Sequence, residues 1–147
     1  MKKIFLDTNI LLDFLENNRV NRVYAEVIVE LAKTGSISLF ASYLSFANMA
    51  YILRKKPQNE LLRLLTMAKN VCSVLPCDSA QLEEGLKTPS KDFEDMLQYQ
   101  CAKAAVCDVI VTNNKQDFDG LNALPVFTAE EFLLDFIPEK GNNAEAN

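Results

Sequence analysis

Three aspartates and one asparagine, Asp7, Asp95, Asp117 and Asn114, are the side chains of this 147-residue chain best placed to do chemistry. Asp7 ends the apolar run Lys3-Ile4-Phe5-Leu6, and Asn114 and Asp117 follow a second run, Val109-Ile110-Val111-Thr112. Asp95 falls in the first turn of a helical stretch that leads into that second run. If both runs are strands of a parallel sheet, all four side chains converge at one sheet edge. Three carboxylates gathered there repel one another, so the arrangement makes sense chiefly around a divalent cation. Oxygen-only donors select Mg2+ or Mn2+, and magnesium keeps several of its own waters, which leaves room for a phosphate oxygen. Such a cation polarises a phosphoryl oxygen and supplies hydroxide from its bound water near neutral pH.

Composition points the same way by exclusion. The chain contains no histidine and no tryptophan. Imidazole bases, Ser-His-Asp or Cys-His nucleophile pairs and His-rich metal sites are therefore ruled out. Four glycines, at 35, 85, 120 and 141, cannot write a phosphate-cradling Gly-rich loop. The cysteines at 72, 77, 101 and 107 lack the spacing of a zinc knuckle and read as reduced thiols. The N-terminal apolar run is too short for a signal peptide or a membrane span, so a cytoplasmic protein is expected. Fifteen Lys and Arg against twenty Asp and Glu give a net charge of -5, with an isoelectric point near 4.8. Non-specific attraction to nucleic acid is then weak, because it rests largely on Lys and Arg neutralising phosphates.

The elements that must position these residues follow from periodicity and punctuation. Residues 3–6 read as a strand buried on both faces. Helical spacing begins at Ile10, with Asn9 placed as its cap. A second helix, 21–33, stops before Gly35, which suits a left-handed helix end. A strand at 37–40 precedes a helix that opens at Ser42 and ends on the cations Arg54-Lys55-Lys56. Pro57 begins another helix through Leu65, and a third strand lies around 71–75. Asp78 caps a helix at 79–86, and 92–106 reads as one amphipathic helix. The fourth and fifth strands fall at 109–112 and 125–127. Thr128-Ala129-Glu130-Glu131 then has capping-box spacing for a last helix through Phe136. Residues 1–137 form one α/β domain, a parallel sheet with helices on both faces, and 138–147 form a disordered tail. In such folds the ligand site lies outside the carboxyl ends of the strands.

Three stretches, taken together, resemble the PIN-domain ribonucleases, known chiefly as VapC-like toxins of type II toxin-antitoxin pairs. They are Ile4 to Leu12 with its Asp7-Thr8-Asn9, Asp92-Phe93-Glu94-Asp95 heading its helix, and Val109 to Phe118. The resemblance runs from Met1 to about Leu134. It implies a five-stranded parallel sheet in the order 3-2-1-4-5 and metal-dependent endonucleolytic cleavage of RNA leaving a 5′-phosphate. It implies Asp7, Asp95 and Asp117 as catalytic acids and metal ligands, and Thr8 and Thr112 as the hydroxyls that orient them. It also implies an antitoxin whose basic segment enters the acidic groove, and a homodimer. Two positions depart from the family's pattern. Asn48 stands where a glutamate is common and Asn114 where an aspartate is usual, so the site is less acidic and a second metal is in question. Asn9 and Asn48 are read as supporting residues, and Asn114 as a further ligand.

The remaining polar residues have plainer readings. Asp92 reads as a helix cap, and Asp13 and Asp78 as structural. Glu94 lies about 100° round the helix from Asp95 and is expected to face solvent or a substrate edge. Arg54-Lys55-Lys56, Lys87, Lys91 and Lys115 are either solvated or phosphate contacts. Phe14, Phe46, Tyr51 and Tyr99 read as core or interface. Two other functions compete with the nuclease. One is a catalytically weak PIN-fold module that holds a protein partner or RNA, motivated by the two amides; a gain in metal affinity without cleavage in Asn48→Glu would favour it. The other is a phosphatase of the haloacid-dehalogenase kind with Asp7 as nucleophile, which needs an aspartate where Asn9 stands.

Overall fold

The computed structural model describes the backbone of residues 1–145 and the side chains of residues 1–137. β1 (Lys2–Leu6) alternates its side chains across the sheet, as a strand must. Ile4 and Leu6 enter one apolar layer and Phe5 the other, all three essentially without exposure. This two-sided burial is why the run is continuous rather than alternating in hydropathy. Helix α1 (Thr8–Leu15) follows directly, then α2 (Arg22–Lys33), which ends at Gly35 in the left-handed conformation expected of it. β2 (Ile37–Ser42), α3 (Tyr43–Ile52), α4 (Gln58–Val71) and β3 (Ser73–Leu75) come next. They are followed by α5 (Ser79–Lys87), α6 (Phe93–Ala104), β4 (Val109–Val111), a 3-10 turn (Lys115–Phe118) and β5 (Val126–Phe127). α7 (Ala129–Glu145) closes the chain.

The five strands are all parallel, in the order β3-β2-β1-β4-β5. β1 is central, with Phe5 level with both Phe40 and Ile110. One face carries the larger layer, built from α1, α2, α3, α4 and α7 through residues such as Leu11, Ile28, Met49, Leu64 and Phe132. The other face carries Met96, Tyr99 and Ala102 of α6 with Phe118 and Leu121. α5 lies over α6 at Gly85, where a Cβ would stand 3.3 Å from the Met96 side chain, so the small residue permits the close approach. Each fully buried Leu, Ile or Phe in these layers contributes roughly 1.5–3 kcal/mol of transfer free energy.

Several element ends differ from the sequence reading. α1 starts at Thr8 with Asp7 as its cap, not Asn9. α4 continues to Val71, which shortens β3 to Ser73–Leu75, and α6 stops at Ala104 because Val106 turns to φ 56°. The caps at Asp78 and Thr128 are as expected, each with its reciprocal bond to Gln81 and Glu131. α7 carries helical backbone past Pro138. The disordered tail expected over 138–147 falls on residues whose side chains, and at 146–147 whose backbone, lie outside the described residues. All four cysteines are free; Cys101 and Cys107 are buried, and Cys72 and Cys77 are half-buried.

Candidate active site

Asp7 is the first residue past β1, and three bonds fix it. Its backbone N–H donates to the Val111 carbonyl at 3.0 Å, which ties it to the end of β4. Its Oδ1 accepts from the Thr8 N–H at 2.8 Å, the capping bond of α1. Its Oδ2 accepts from the Thr112 hydroxyl, also at 2.8 Å. The Thr112 hydroxyl in turn accepts from the Asn114 N–H at 3.1 Å, so one fully buried side chain sets both Asp7 and the start of the following loop. Asn9, freed from capping, accepts from the Asn113 N–H at 3.3 Å, a further stitch between the ends of β1 and β4.

The second wall is the first turn of α6. Asp92 caps it, Oδ1 accepting from the Asp95 N–H at 3.0 Å. Carboxylates suit this turn because its unpaired N–H groups leave it partly positive. Behind Asp95, at i+3 on the same side of the helix, the fully buried Gln98 reaches the opposite elements. Its Nε2 donates to Ser45 Oγ at 2.9 Å and to Thr8 Oγ1 at 3.3 Å, and its Oε1 accepts from Ser42 Oγ. Thr8 and Ser45 share a hydrogen bond of 2.8 Å. This buried network joins α1, α3 and α6, and no buried side-chain polar atom among the described residues lacks a partner.

These elements enclose an open cleft of about 350 Å3. Asp7, Asp92, Glu94, Asp95, Asp117, Asn9, Asn48 and Asn114 line it, with Thr8, Leu12, Tyr51 and Ile52. Five carboxylates thus share a space whose lining contains no Lys or Arg. Burial, then the charges of Asp7, Asp92 and Asp117 and a hydrogen bond with Asp117, push Asp95 up to about 8. Burial also raises Asp7, against the bonds from Thr112 and Thr8, with Asp117 and Asp92 adding to the rise. Partial burial, then Asp92 and Asp7, raise Glu94. Among the described residues no three acidic or thiol groups stand close enough to hold an ion by themselves.

All of the residues singled out from sequence except Thr112 line this cleft, and Thr112 supports it from behind Asp7. The structure adds to two readings. Glu94, expected to face solvent or a substrate edge, is exposed at the cleft, and its Oε1 accepts from Asn48 Nδ2 at 2.6 Å. Asp92 both caps α6 and lines the cleft. Lys91 and Lys115 are occupied elsewhere, by Asp119 and Glu131 at 3.0 and 2.9 Å. Phe14, Phe46 and Tyr99 belong to the packed layers, but Tyr51 is exposed at the cleft edge with Arg54 over its ring. Ser42, Ser45 and Gln98 were not singled out. For Ser45 and Gln98 the signal was a polar residue on an otherwise apolar inner face, three residues from Asn48 and from Asp95; Ser42 ends β2, three residues before Ser45.

Comparison with known proteins agrees with this architecture. Ribonuclease VapC1 of Aquifex aeolicus (strain VF5) is 27% identical over 136 residues, which cover 89% of this chain and 93% of that protein. A chain of the VapBC2 complex of Rickettsia felis, bound to a promoter DNA fragment, superposes with a TM-score of 0.64 at 18% identity, covering 84% of this chain and 96% of its own. VapC20 of Mycobacterium tuberculosis, a sarcin-ricin loop cleaving toxin, gives 0.60 at 12% identity, covering 80% and 95%. At these identities the solved structures speak for the fold. The PIN domain family model matches residues 3–116, from the first strand through the site loop after the fourth, and this chain is a member of the PIN domain family.

Proposed function

We propose that this protein is a divalent-metal-dependent endoribonuclease, the toxin component of a toxin-antitoxin pair. The observation that carries the reading is the cleft itself, five carboxylates at the carboxyl ends of β1 and β4 with no cationic side chain in the lining. The similarity to Ribonuclease VapC1 supports RNA as the substrate, and the solved VapBC complexes support an antitoxin as partner.

The donor set fits a hard cation. Every candidate ligand is a carboxylate or amide oxygen, the preference of Mg2+ and Mn2+ rather than zinc. Asp7, Asp95 and Asp117, with Asn114, would hold it, and because no three acids close on one point, water completes its shell. When bound, the cation supplies Lewis acidity and an activated water for phosphodiester hydrolysis. The protein's own residues do the rest. Thr112 and the Thr8 N–H fix both oxygens of Asp7, so that it presents its charge in one orientation. The Gln98 network holds α6, and with it Asp95, against α1 and α3. With five acids and no cation in the lining, a phosphate is repelled without a counter-ion, which keeps RNA recognition dependent on the cation.

The same acidity suits a basic antitoxin segment. Exposed apolar side chains such as Leu82 and Leu86 on α5 and Tyr43 and Tyr51 on α3 are compatible with a homodimer. Among the described residues no helix is long and apolar enough to cross a membrane.

Purified protein with Mn2+ is expected to cut RNA to products bearing 5′-phosphates. Asp7→Asn and Asp95→Asn should each lower the rate by at least about a hundredfold, the usual scale for losing an electrostatic group at the reacting centre. Absence of any cutting, or cutting that survives both substitutions, would overturn the reading; metal binding without cutting would leave the binding module in its place.

A further inference from the structure

Asn48 and Glu94 lie 46 residues apart in sequence and meet at the mouth of the cleft. Asn48 stands on α3, and Glu94 in the first turn of α6. The 2.6 Å bond from Asn48 Nδ2 uses one oxygen of the Glu94 carboxylate, and the other has no hydrogen-bond partner among the described residues. Glu94 also feels the charges of Asp92 and Asp7, so it stands within the same electrostatic space as the buried aspartate at its floor.

That placement needs a reason. A glutamate in the first turn of a helix has open solvent available, and swinging outward would take it away from four other carboxylates. An amide on the facing helix holds it inward instead. The bond is neutral in charge, so it orients the carboxylate without neutralising it, which an Arg or Lys at position 48 would do. What is delivered to the cleft is a fifth negative oxygen pair, carried by α6 and aimed from α3.

We infer that Asn48 and Glu94 form one unit in which Asn48 is a positioning residue and Glu94 is an additional oxygen ligand, direct or through water, for the divalent cation of the cleft. The inference rests on the metal-dependent reading above and extends it. It also changes the meaning of the amide at 48. α3 has not lost a carboxylate from the site; it holds one that α6 contributes.

The test is Mn2+ binding, followed by electron paramagnetic resonance of free Mn2+ and by calorimetry, with no RNA present. Glu94→Gln should weaken Mn2+ by roughly tenfold, the scale of losing a metal-orienting or water-mediated group. Asn48→Leu, which keeps Glu94 but removes its donor, should weaken it by a similar factor. Asn48→Leu/Glu94→Gln should be no weaker than either single variant, because the two residues act through one contact. The exchanged pair Asn48→Glu/Glu94→Gln returns a carboxylate and an amide to the same contact and should recover most of the affinity. Thermal melts of each metal-free variant check that the fold is kept. Unchanged affinity in Glu94→Gln, independent additive losses, or no recovery in a folded exchanged pair would overturn the inference. If instead the wild-type protein binds no Mn2+ that Asp7→Asn abolishes, the metal-dependent reading itself falls, and this inference with it.

Discussion

A proton on Asp95 relieves part of the repulsion among the cleft acids, and its hold on that proton links the site to stability. In the folded protein Asp95 sits at about 8 against an ordinary value of 3.8, and Asp7 and Glu94 are displaced in the same direction. Folded protein therefore binds more protons than unfolded chain across this interval, and stability falls as pH rises through it. With chelator present, the urea midpoint should decline between pH 5 and pH 8, and Mn2+ should restore it at pH 8 by replacing the lost protons with a cation. A flat profile in chelator would mean that neither burial nor the neighbouring charges hold a proton on these acids. Asp7, Asp95 and Asp117 were legible from sequence because each sits where a strand or helix end can be read. Glu94 was not. Angular spacing describes a helix body, whereas at the N-terminus of α6 Asp92, Glu94 and Asp95 all reach the cleft. The bond to Asn48 spans two helices that no local pattern relates.

Helix and strand ends carry most of the positioning, and their legibility varied with its physical cause. Caps with reciprocal side-chain bonds, as at Asp78 and Thr128, leave a four-residue signature. The cap of α1 was assigned two residues too late because Asn9 and Asp7 are both good caps; the burial of Asp7 and its bond to Thr112 decided between them. The end of α6 was hidden for a different reason. Val106 adopts φ 56°, a conformation unfavourable for a β-branched residue, so nothing in its type announces a stop. There the Cys107 N–H bonds back to the Ala102 carbonyl and the Val106 N–H to the Lys103 carbonyl, closing the helix before β4 begins. The Val106 side chain is 75% exposed. Val106→Gly should therefore remove strain without losing packing and stabilise the protein by about 1 kcal/mol, less the added freedom of glycine in the unfolded chain. Denaturant unfolding at pH 7 measures it, and a destabilised variant would show that the left-handed turn is not strained.

The order of the whole sheet places β1 and β4 side by side, and this alone brings Asp7 to the loop carrying Asn114 and Asp117. The five acids of the cleft equal the chain's entire charge excess, for the other fifteen of its twenty Asp and Glu are matched by fifteen Lys and Arg. The cleft therefore gathers acidic side chains with no cationic one in its lining. Binding of an uncleavable RNA should accordingly be strengthened by Mg2+, the reverse of the usual weakening by cations that compete for phosphate. Filter binding with Mg2+ and with chelator distinguishes the two, and tighter binding in chelator would contradict the assignment. The sheet was readable from alternating strands and helices, and the strand order from the resemblance, but not the unequal depth of its two faces.

That inequality sets how the molecule comes apart. Among the described residues, twenty-two buried apolar side chains pack the layer of α1, α2, α3, α4 and α7, and nine the layer beneath α6. The free energy of a partial opening follows the apolar surface it exposes, so the thinner layer opens first. α6 and its cap hold three of the five cleft acids. Warming or mild urea should then dissolve the site while the central strands remain protected from amide exchange, and activity should disappear well before secondary structure does.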